Sequence, residues 1–149
     1  MKRLFTFVLL LLSISGAGSV HAEESINCSA KHSLFHGSTS VVALYHFILN
    51  KNHGAVLING KLNNDGVETI ISRSIYFNYE NISADNYIVK NYNITKIPVD
   101  NTSDDIMEKH FPQFFTKTDT QLYLSIKKTS SGSYLISFFR TPLFYCMKY

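Results

Sequence analysis

Histidines are the first residues in this chain whose type and spacing could do chemistry. His32 and His36 lie four residues apart, and His46 and His53 follow along the chain. On a helix, two histidines at this spacing can bind zinc together. The residues around them have a strand pattern, however, and no carboxylate or other third ligand stands at a useful spacing. We therefore predict no metal site and interpret these histidines as surface or half-buried side chains.

The sequence also has no clear motif of a catalytic site. A Cys–His nucleophile needs a free thiolate, which a disulfide between Cys28 and Cys146 would remove. No serine lies in a nucleophile elbow. Asp104, Asp105 and Glu108 have the placement of charges at the start of a helix rather than of paired catalytic carboxylates. The sequence therefore predicts that the protein is not an enzyme and needs no cofactor.

Arg73 is the unusual residue of the longest strand pattern. Successive side chains of a strand point to opposite faces, so one face of the stretch from Ile70 to Tyr79 carries Ile71, Arg73, Ile75, Phe77 and Tyr79. A charge on such an apolar face must be paired or reach solvent. We interpret Arg73 as a structural charge paired with an acid or with backbone carbonyls. The alternatives are a role at a ligand pocket or partner surface, and an assignment with the two faces reversed.

The N-terminus has the pattern of an export signal. Two basic residues precede an apolar run from Leu4 to Leu12, and small and polar residues lead to a cleavage site after Ala22. The pattern predicts a signal peptide at 1–22 and a single β-rich periplasmic domain at 23–149. A retained membrane anchor is the alternative, although the apolar run is about half the roughly 20 residues that a spanning helix needs.

Charge limits the class of partner. Removing the two basic residues of the signal reduces the 14 basic residues to 12, against 11 acidic ones, which leaves a net charge of +1. No basic patch has the size that nucleic-acid binding requires. We predict that the mature protein does not bind nucleic acid.

The cysteines constrain the topology of the domain. Cys28 and Cys146 are the two cysteines of the chain, and in an exported protein an even number implies a disulfide. The bonded residues need Cα atoms about 4.4–6.8 Å apart, which is the spacing of neighbouring strands. The first and last strands should therefore lie side by side, or nearly so.

Short strand patterns separated by turn signals fill the rest of the chain. The strands are predicted at Ile26–His36, Val41–Leu49, Ala55–Leu62, Val67–Tyr79, Tyr87–Ile97, Thr120–Lys127, Tyr134–Arg140 and Leu143–Tyr149, with a short helix at Asp104–Phe111. Asp65-Gly66 is the clearest hairpin signal. We predict a mainly β (α+β) domain, a mostly antiparallel barrel-like sheet of about eight strands with one short helix. A β-sandwich is the alternative.

The segment from Ile106 to Phe115 is unusually apolar for a connection. Phe111, Phe114 and Phe115 are its aromatic residues, and we consider them candidates for contact with a partner or for covering a ligand. The alternative is that the segment plugs one end of the barrel.

Several short stretches resemble a known family. They are Asn59-Gly60-Lys61-Leu62, the turn with Gly66, Ile71–Tyr79, Asp104-Asp105-Ile106-Met107 and Pro142-Leu143-Phe144-Tyr145-Cys146. Together they resemble the FidL-like small membrane or periplasmic proteins of enteric bacteria.

Members of that group are typically encoded beside ToxR-type membrane-bound transcription regulators, and the related small partners bind and stabilise the periplasmic domain of the regulator. In some such pairs the two proteins form a barrel that holds a bile-type ligand. Family members usually keep a membrane anchor, whereas this sequence has the pattern of a cleavable signal.

The resemblance implies a periplasmic accessory protein without catalysis that binds the sensory domain of a ToxR-type regulator. A periplasmic carrier of a small apolar, bile-type ligand and a periplasmic hydrolase inhibitor are the alternatives. An open side of the barrel or an exposed sheet edge would favour the accessory protein. A sealed apolar cavity would favour the carrier, and a protruding polar loop, for instance Thr129 to Ser133, would favour the inhibitor.

Overall fold

The computed structural model describes residues 25–148, so the predicted signal peptide at 1–22 lies outside the described residues. The elements are β1 (Ile26–His36), β2 (Thr39–Asn50), β3 (His53–Asn64), β4 (Val67–Ser83), β5 (Asn86–Lys96), α1 (Asp104–His110), a 3₁₀ turn (Gln113–Phe115), β6 (Gln121–Lys128), β7 (Tyr134–Phe138) and β8 (Thr141–Lys148). The strands follow chain order around a closed antiparallel barrel. The predicted fold class is confirmed, and the sandwich alternative is wrong.

Alternating side chains explain how these strands enclose a core. In β2 the residues Val41, Ala43, Tyr45, Phe47 and Leu49 are buried, while the residues between them are half-buried or exposed. In β4 the five residues predicted to share the apolar face are all buried, Arg73 included. A barrel of eight strands is just wide enough for its own side chains to fill it, and the gap left in this interior measures about 10 Å³.

Tight turns set the register of the hairpins. Asp65 and Gly66 have φ values of 52° and 84°, which the type I′ turns of two-residue hairpins require. Lys51 and Asn52 form a similar turn between β2 and β3, with φ values of 47° and 66°. The predicted Asp-Gly hairpin is therefore confirmed.

The barrel closes along a short seam between β1 and β8. The ladder there joins Cys28 to Lys148 and Ser29 to Met147. The disulfide between Cys28 and Cys146 crosses the same seam, with Cα atoms 5.4 Å apart. The structure thus confirms both the predicted bond and the predicted neighbourhood of the first and last strands.

The connection between β5 and β6 folds over one end of the barrel. Ser103 accepts a hydrogen bond from the backbone of Ile106 and caps α1, which ends one residue earlier than predicted. Phe114 packs against Phe77 with ring centroids 5.6 Å apart, and Phe115 against Tyr45 at 6.4 Å. Across residues 25–148 no helix has the length and apolarity needed to cross a membrane.

The burial of this connection corrects one interpretation. Phe114 and Phe115 are only 3% and 2% exposed, so they cannot be the exposed partner contacts that the apolar pattern indicated. They lie inward because the 3₁₀ turn brings both rings over the open barrel end. Phe111 is half-buried against the core, and its contact with a partner stays a prediction.

Several strand boundaries differ from the prediction, and those of β7 and β4 have an identifiable cause. β7 ends at Phe138, and Phe139 and Arg140 form the turn to β8, although the pattern places both in a strand. The turn escapes notice because neither residue is Gly, Asn, Asp or Pro, the usual turn formers. β4 extends to Ser83, beyond its predicted end at Tyr79, because the polar residues there pair with β5.

Candidate functional site

Arg73 lies inside the barrel in a network of hydrogen bonds. Its Nε donates to Asp100 at 2.9 Å, Nη1 donates to Asp104 at 2.8 Å, and Nη2 donates to the backbone oxygen of Thr102 at 2.8 Å. The side chains of Arg73 and Asp100 are 1% and 0% exposed, so the ion pair is excluded from solvent. Every guanidinium nitrogen therefore has a partner within the protein, as the structural interpretation of Arg73 requires.

Asp104 connects this network to solvent at the start of α1. It also accepts a hydrogen bond from Lys96 at 3.0 Å. That hydrogen bond is the largest cause that holds the pKa of Asp104 below its ordinary value, and the charge of Arg73 acts in the same direction against an opposing effect of burial. The network therefore ties the start of α1 to β4 and β5, and the Asp104 side chain at its edge is 58% exposed.

Asn91 is a structural residue that the sequence analysis missed. Its side chain is fully buried. Its Nδ2 donates to the backbone oxygens of Phe114 and Lys117 at 2.6 and 2.7 Å, and its Oδ1 accepts from the backbone of Thr120 at 3.0 Å. This amide binds the backbone of the connection where it returns to the sheet, just before β6. The signal for it is an Asn at an inward position of an alternating strand.

The histidines of the sequence motif do not form one cluster, and they contact other side chains of the fold. His32 packs against the ring of Phe144 at 5.1 Å, and burial lowers its pKa. His36 contacts His110 with ring centroids 5.7 Å apart. His46 bonds to the side chain of Asn27 at 2.8 Å. Among the residues that the structure describes, no group of three or more His, Cys, Asp or Glu side chains could hold a metal.

A surface groove with a volume of about 670 Å³ lies on the outer face of β6. We call it the β6 groove. The cross-strand pair Ser125 and Ser137 lines it, and these small side chains leave room between taller neighbours. Its remaining lining residues are Ile82, Ser83, Ala84, Asp85, Asn86, Tyr87, Tyr123, Leu124, Lys127, Leu135, Phe139, Arg140 and Pro142. The groove has the size of a ligand or peptide site.

Two hairpin turns contribute to the walls of the β6 groove. Phe139 and Arg140 form the turn between β7 and β8, with φ values of 46° and 75°. Ala84, in the turn between β4 and β5, has a φ of 24°. Left-handed backbone costs a residue with a side chain roughly 1–2 kcal/mol, so both walls contain unfavourable backbone geometry.

Aromatic side chains stand exposed at one end of the β6 groove. Phe139 is 67% exposed and Tyr123 is 49% exposed, and their ring centroids lie 6.1 Å apart. Exposed aromatic side chains of this kind are typical anchors of protein interfaces. The sequence analysis did not select either residue, because each falls at an outward position of an ordinary strand pattern.

A second apolar surface lies on the outer face of β2. Val42, Leu44 and Ile48 are exposed there, at the positions that alternate with the buried residues of the strand.

The turn from Thr129 to Ser133 folds back on the barrel. The backbone N–H of Thr129 donates to the oxygen of Ser133 at 2.8 Å, and the Ser131 hydroxyl lies 3.1 Å from the Tyr145 hydroxyl. Hydrogen bonds from Ser131, followed by Ser133, lower the pKa of Tyr145. The turn is therefore held against β8 rather than extended from the surface.

Comparison with known protein families gives a match over most of the chain. A family model described as the YqeJ C-terminal domain matches residues 25–146, which cover β1 to β7, the helix and β8 as far as Cys146. Curated proteins and solved structures gave no match.

Proposed function

The chain belongs to the YqeJ C-terminal domain family, and we propose that it is a non-enzymatic periplasmic accessory protein. In this proposal it binds and stabilises the sensory domain of a membrane-bound, ToxR-type transcription regulator. The resemblance to the FidL-like proteins supports the choice of partner, and the distribution of apolar side chains supports recognition of a protein.

The filled interior and the apolar exterior carry the proposal. The enclosed gap of about 10 Å³ is far below the roughly 300–1,000 Å³ of ligand pockets. Apolar side chains are instead exposed on the outer faces of β2 and β6, Val42, Leu44 and Tyr123 among them. The filled interior therefore disfavours a carrier with a sealed cavity. The barrel is closed, so its described strands do not form the open side that would favour an accessory protein, and the proposal relies on recognition by the outer surface.

The remaining alternatives receive less support. A hydrolase inhibitor would need a projecting loop, and the turn at Thr129–Ser133 is bonded to its own barrel. A carrier would have to hold its ligand in the open β6 groove or in a cleft of about 180 Å³, which is lined by the core residues Ile26, Leu49, Tyr79, Ile126 and Tyr134 among others.

The cysteine bond supports a location outside the cytoplasm. Disulfides persist in oxidising compartments such as the periplasm, and the bond between Cys28 and Cys146 is compatible with one. Export with cleavage after Ala22 predicts a mature N-terminus at Glu23. The intact mass of the protein recovered from periplasm tests that cleavage, and the full-length mass in the membrane fraction would indicate a retained anchor instead.

Capture of the regulator is the direct test. The exported protein, immobilised, should retain the purified periplasmic domain of a ToxR-type regulator encoded beside its gene. It should also lengthen the lifetime of that regulator in cells. Absence of both effects would refute the accessory function. Native mass spectrometry of the purified protein provides the comparison, since a retained small apolar ligand would instead support the carrier.

A further inference from the structure

We propose that the β6 groove is the surface that receives the regulator, and that it binds an extended segment with an acidic residue beside an apolar one. The inference rests on the proposed function, because it names the surface and the chemistry through which that partner is recognised. Three features of the groove support it: its shape, its charge and the geometry of its β7–β8 turn.

The shape fits a short extended segment. Tyr123 and Lys127 are four residues apart on the outer face of β6, which corresponds to about 13 Å along a strand. That length accommodates roughly four residues of an extended chain. Between them lie Ser125 and Ser137, whose hydroxyls have no side-chain partner within residues 25–148. The occupant can therefore use these hydroxyls as hydrogen-bond donors and acceptors.

The charges of the groove favour an acidic occupant. Lys127 and Arg140 both line it, and neither lies in an ion pair with a carboxylate of the described chain. Elsewhere four surface lysines pair with acids, in Lys61–Glu68, Lys90–Asp119, Lys96–Asp104 and Lys117–Glu108. Lys31, Lys51 and Lys109 lie in no ion pair with a carboxylate of the described chain either. Asp85 is the one carboxylate among the lining residues, which leaves an excess of one cation to attract the partner.

In the β7–β8 turn, an aromatic and a basic residue have an unfavourable backbone conformation. Asn-Gly or Asp-Gly would suit a two-residue turn with positive φ at both positions, yet Phe139 and Arg140 occupy it. Packing in the core does not explain the choice, because Phe139 is 67% exposed and its described ring contact is with Tyr123. Unfavourable backbone of this kind is concentrated at binding sites. We infer that the turn presents Phe139 to an apolar side chain and Arg140 to a carboxylate of the occupant.

The test replaces the turn by better turn chemistry. The variant Phe139→Asn with Arg140→Gly should raise the melting temperature by a few °C, on the order of 2–8 °C, because it removes left-handed backbone strain. The same variant should weaken capture of the regulator's periplasmic domain by about tenfold or more. Replacing residues that only support the fold would not raise the melting temperature and weaken capture at the same time.

The matched control changes the other turn of this kind. Lys51→Asn with Asn52→Gly creates the same Asn-Gly sequence between β2 and β3, away from the β6 groove. It should raise the melting temperature in the same way and leave capture unchanged. Arg140→Glu should abolish capture, whereas Arg140→Lys should retain most of it and show the same decrease with added salt.

The outcomes separate this inference from the function on which it rests. If the wild-type protein captures the regulator domain and the groove variants capture it equally well, the groove is not the site and the accessory function stands. If the wild-type protein captures no regulator domain, the accessory function is wrong and the inference falls with it. A lower melting temperature for the Asn-Gly variant at 139 and 140 would overturn the argument from backbone strain.

Discussion

Arg73 shows what alternation along a strand can and cannot predict about a single residue. Its inward direction follows from the period of two, since Ile71 and Ile75 beside it are also buried. Its partner Asp100 could not be predicted, because it lies 27 residues further on in an irregular segment whose path no pattern encodes. The hydroxyls of Ser125 and Ser137 lie at regular strand positions, and the alternation of a strand does not predict that they line a groove together.

Removal of the Arg73 charge should destabilise the fold strongly. Arg73→Met would leave Asp100 buried without its cation, a change that typically costs about 3–5 kcal/mol. Urea unfolding measures the loss. Lys61→Ala is the control, because the Lys61–Glu68 pair is 65% and 55% exposed and such pairs contribute about 1 kcal/mol or less. Equal losses of unfolding free energy in the two variants would show that burial of the Arg73–Asp100 pair does not increase its contribution to stability.

His32 should make stability depend on pH. Burial lowers its pKa from 6.5, so the folded state disfavours the charged ring. As pH falls below 6.5 the unfolded chain takes up the proton first, and stability decreases until the folded ring also titrates. Melting temperatures between about pH 7.5 and pH 5.5 should fall less in His32→Phe, which keeps the ring contact without a titrating group. Parallel curves for the two proteins would contradict this assignment.

Elements of this barrel were predictable where local pattern and tertiary environment agree. The strands from β1 to β6 appear close to their predicted bounds because each alternates between a filled interior and solvent. The pattern fails at the end of β7, where Phe139 and Arg140 have strand propensity and yet form a turn. It also leaves the direction of the connection at Phe114 and Phe115 undecided, since an apolar segment can turn toward a core or toward a partner.

The connection between β5 and β6 should prove essential for folding. Phe115→Ala removes a ring that contacts Tyr45 and Phe138, and loss of a buried Phe typically costs about 3–5 kcal/mol. Thermal or urea unfolding tests this. Phe139→Ala deletes the same atoms at an exposed site and should change stability by about 0.5 kcal/mol or less. If Phe115→Ala leaves stability unchanged, the segment would again be a candidate for contact with a partner.

At the scale of the molecule, two cysteines predicted the closure of the barrel. Their separation of 118 residues forces the terminal strands together, and that constraint distinguishes a closed sheet from an open one. The β6 groove had no comparable signal, because it is formed where β6 and two hairpin turns meet in space. The disulfide also supports a seam whose ladder, within residues 25–148, has two residue pairs.

Reduction of the disulfide should therefore open the barrel at its seam. Loss of a native disulfide typically costs a small secreted domain about 2–5 kcal/mol, so the melting temperature should fall in a reducing agent and in a variant with Cys28→Ser and Cys146→Ser. Hydrogen exchange locates the effect, since amides of β8 should lose protection before those of β2 and β3. Uniform loss of protection would mean that the barrel opens all at once.

The order of the strands has a consequence for how the chain folds. Each strand from β2 to β7 pairs with its two neighbours in sequence, so most contacts can form from short loops with a small entropic cost. Pairing of β1 with β8 must wait for almost the whole chain, which makes closure the slow, late step. Until then β1 presents an unpaired edge, and a newly exported molecule is most exposed to aggregation during that interval.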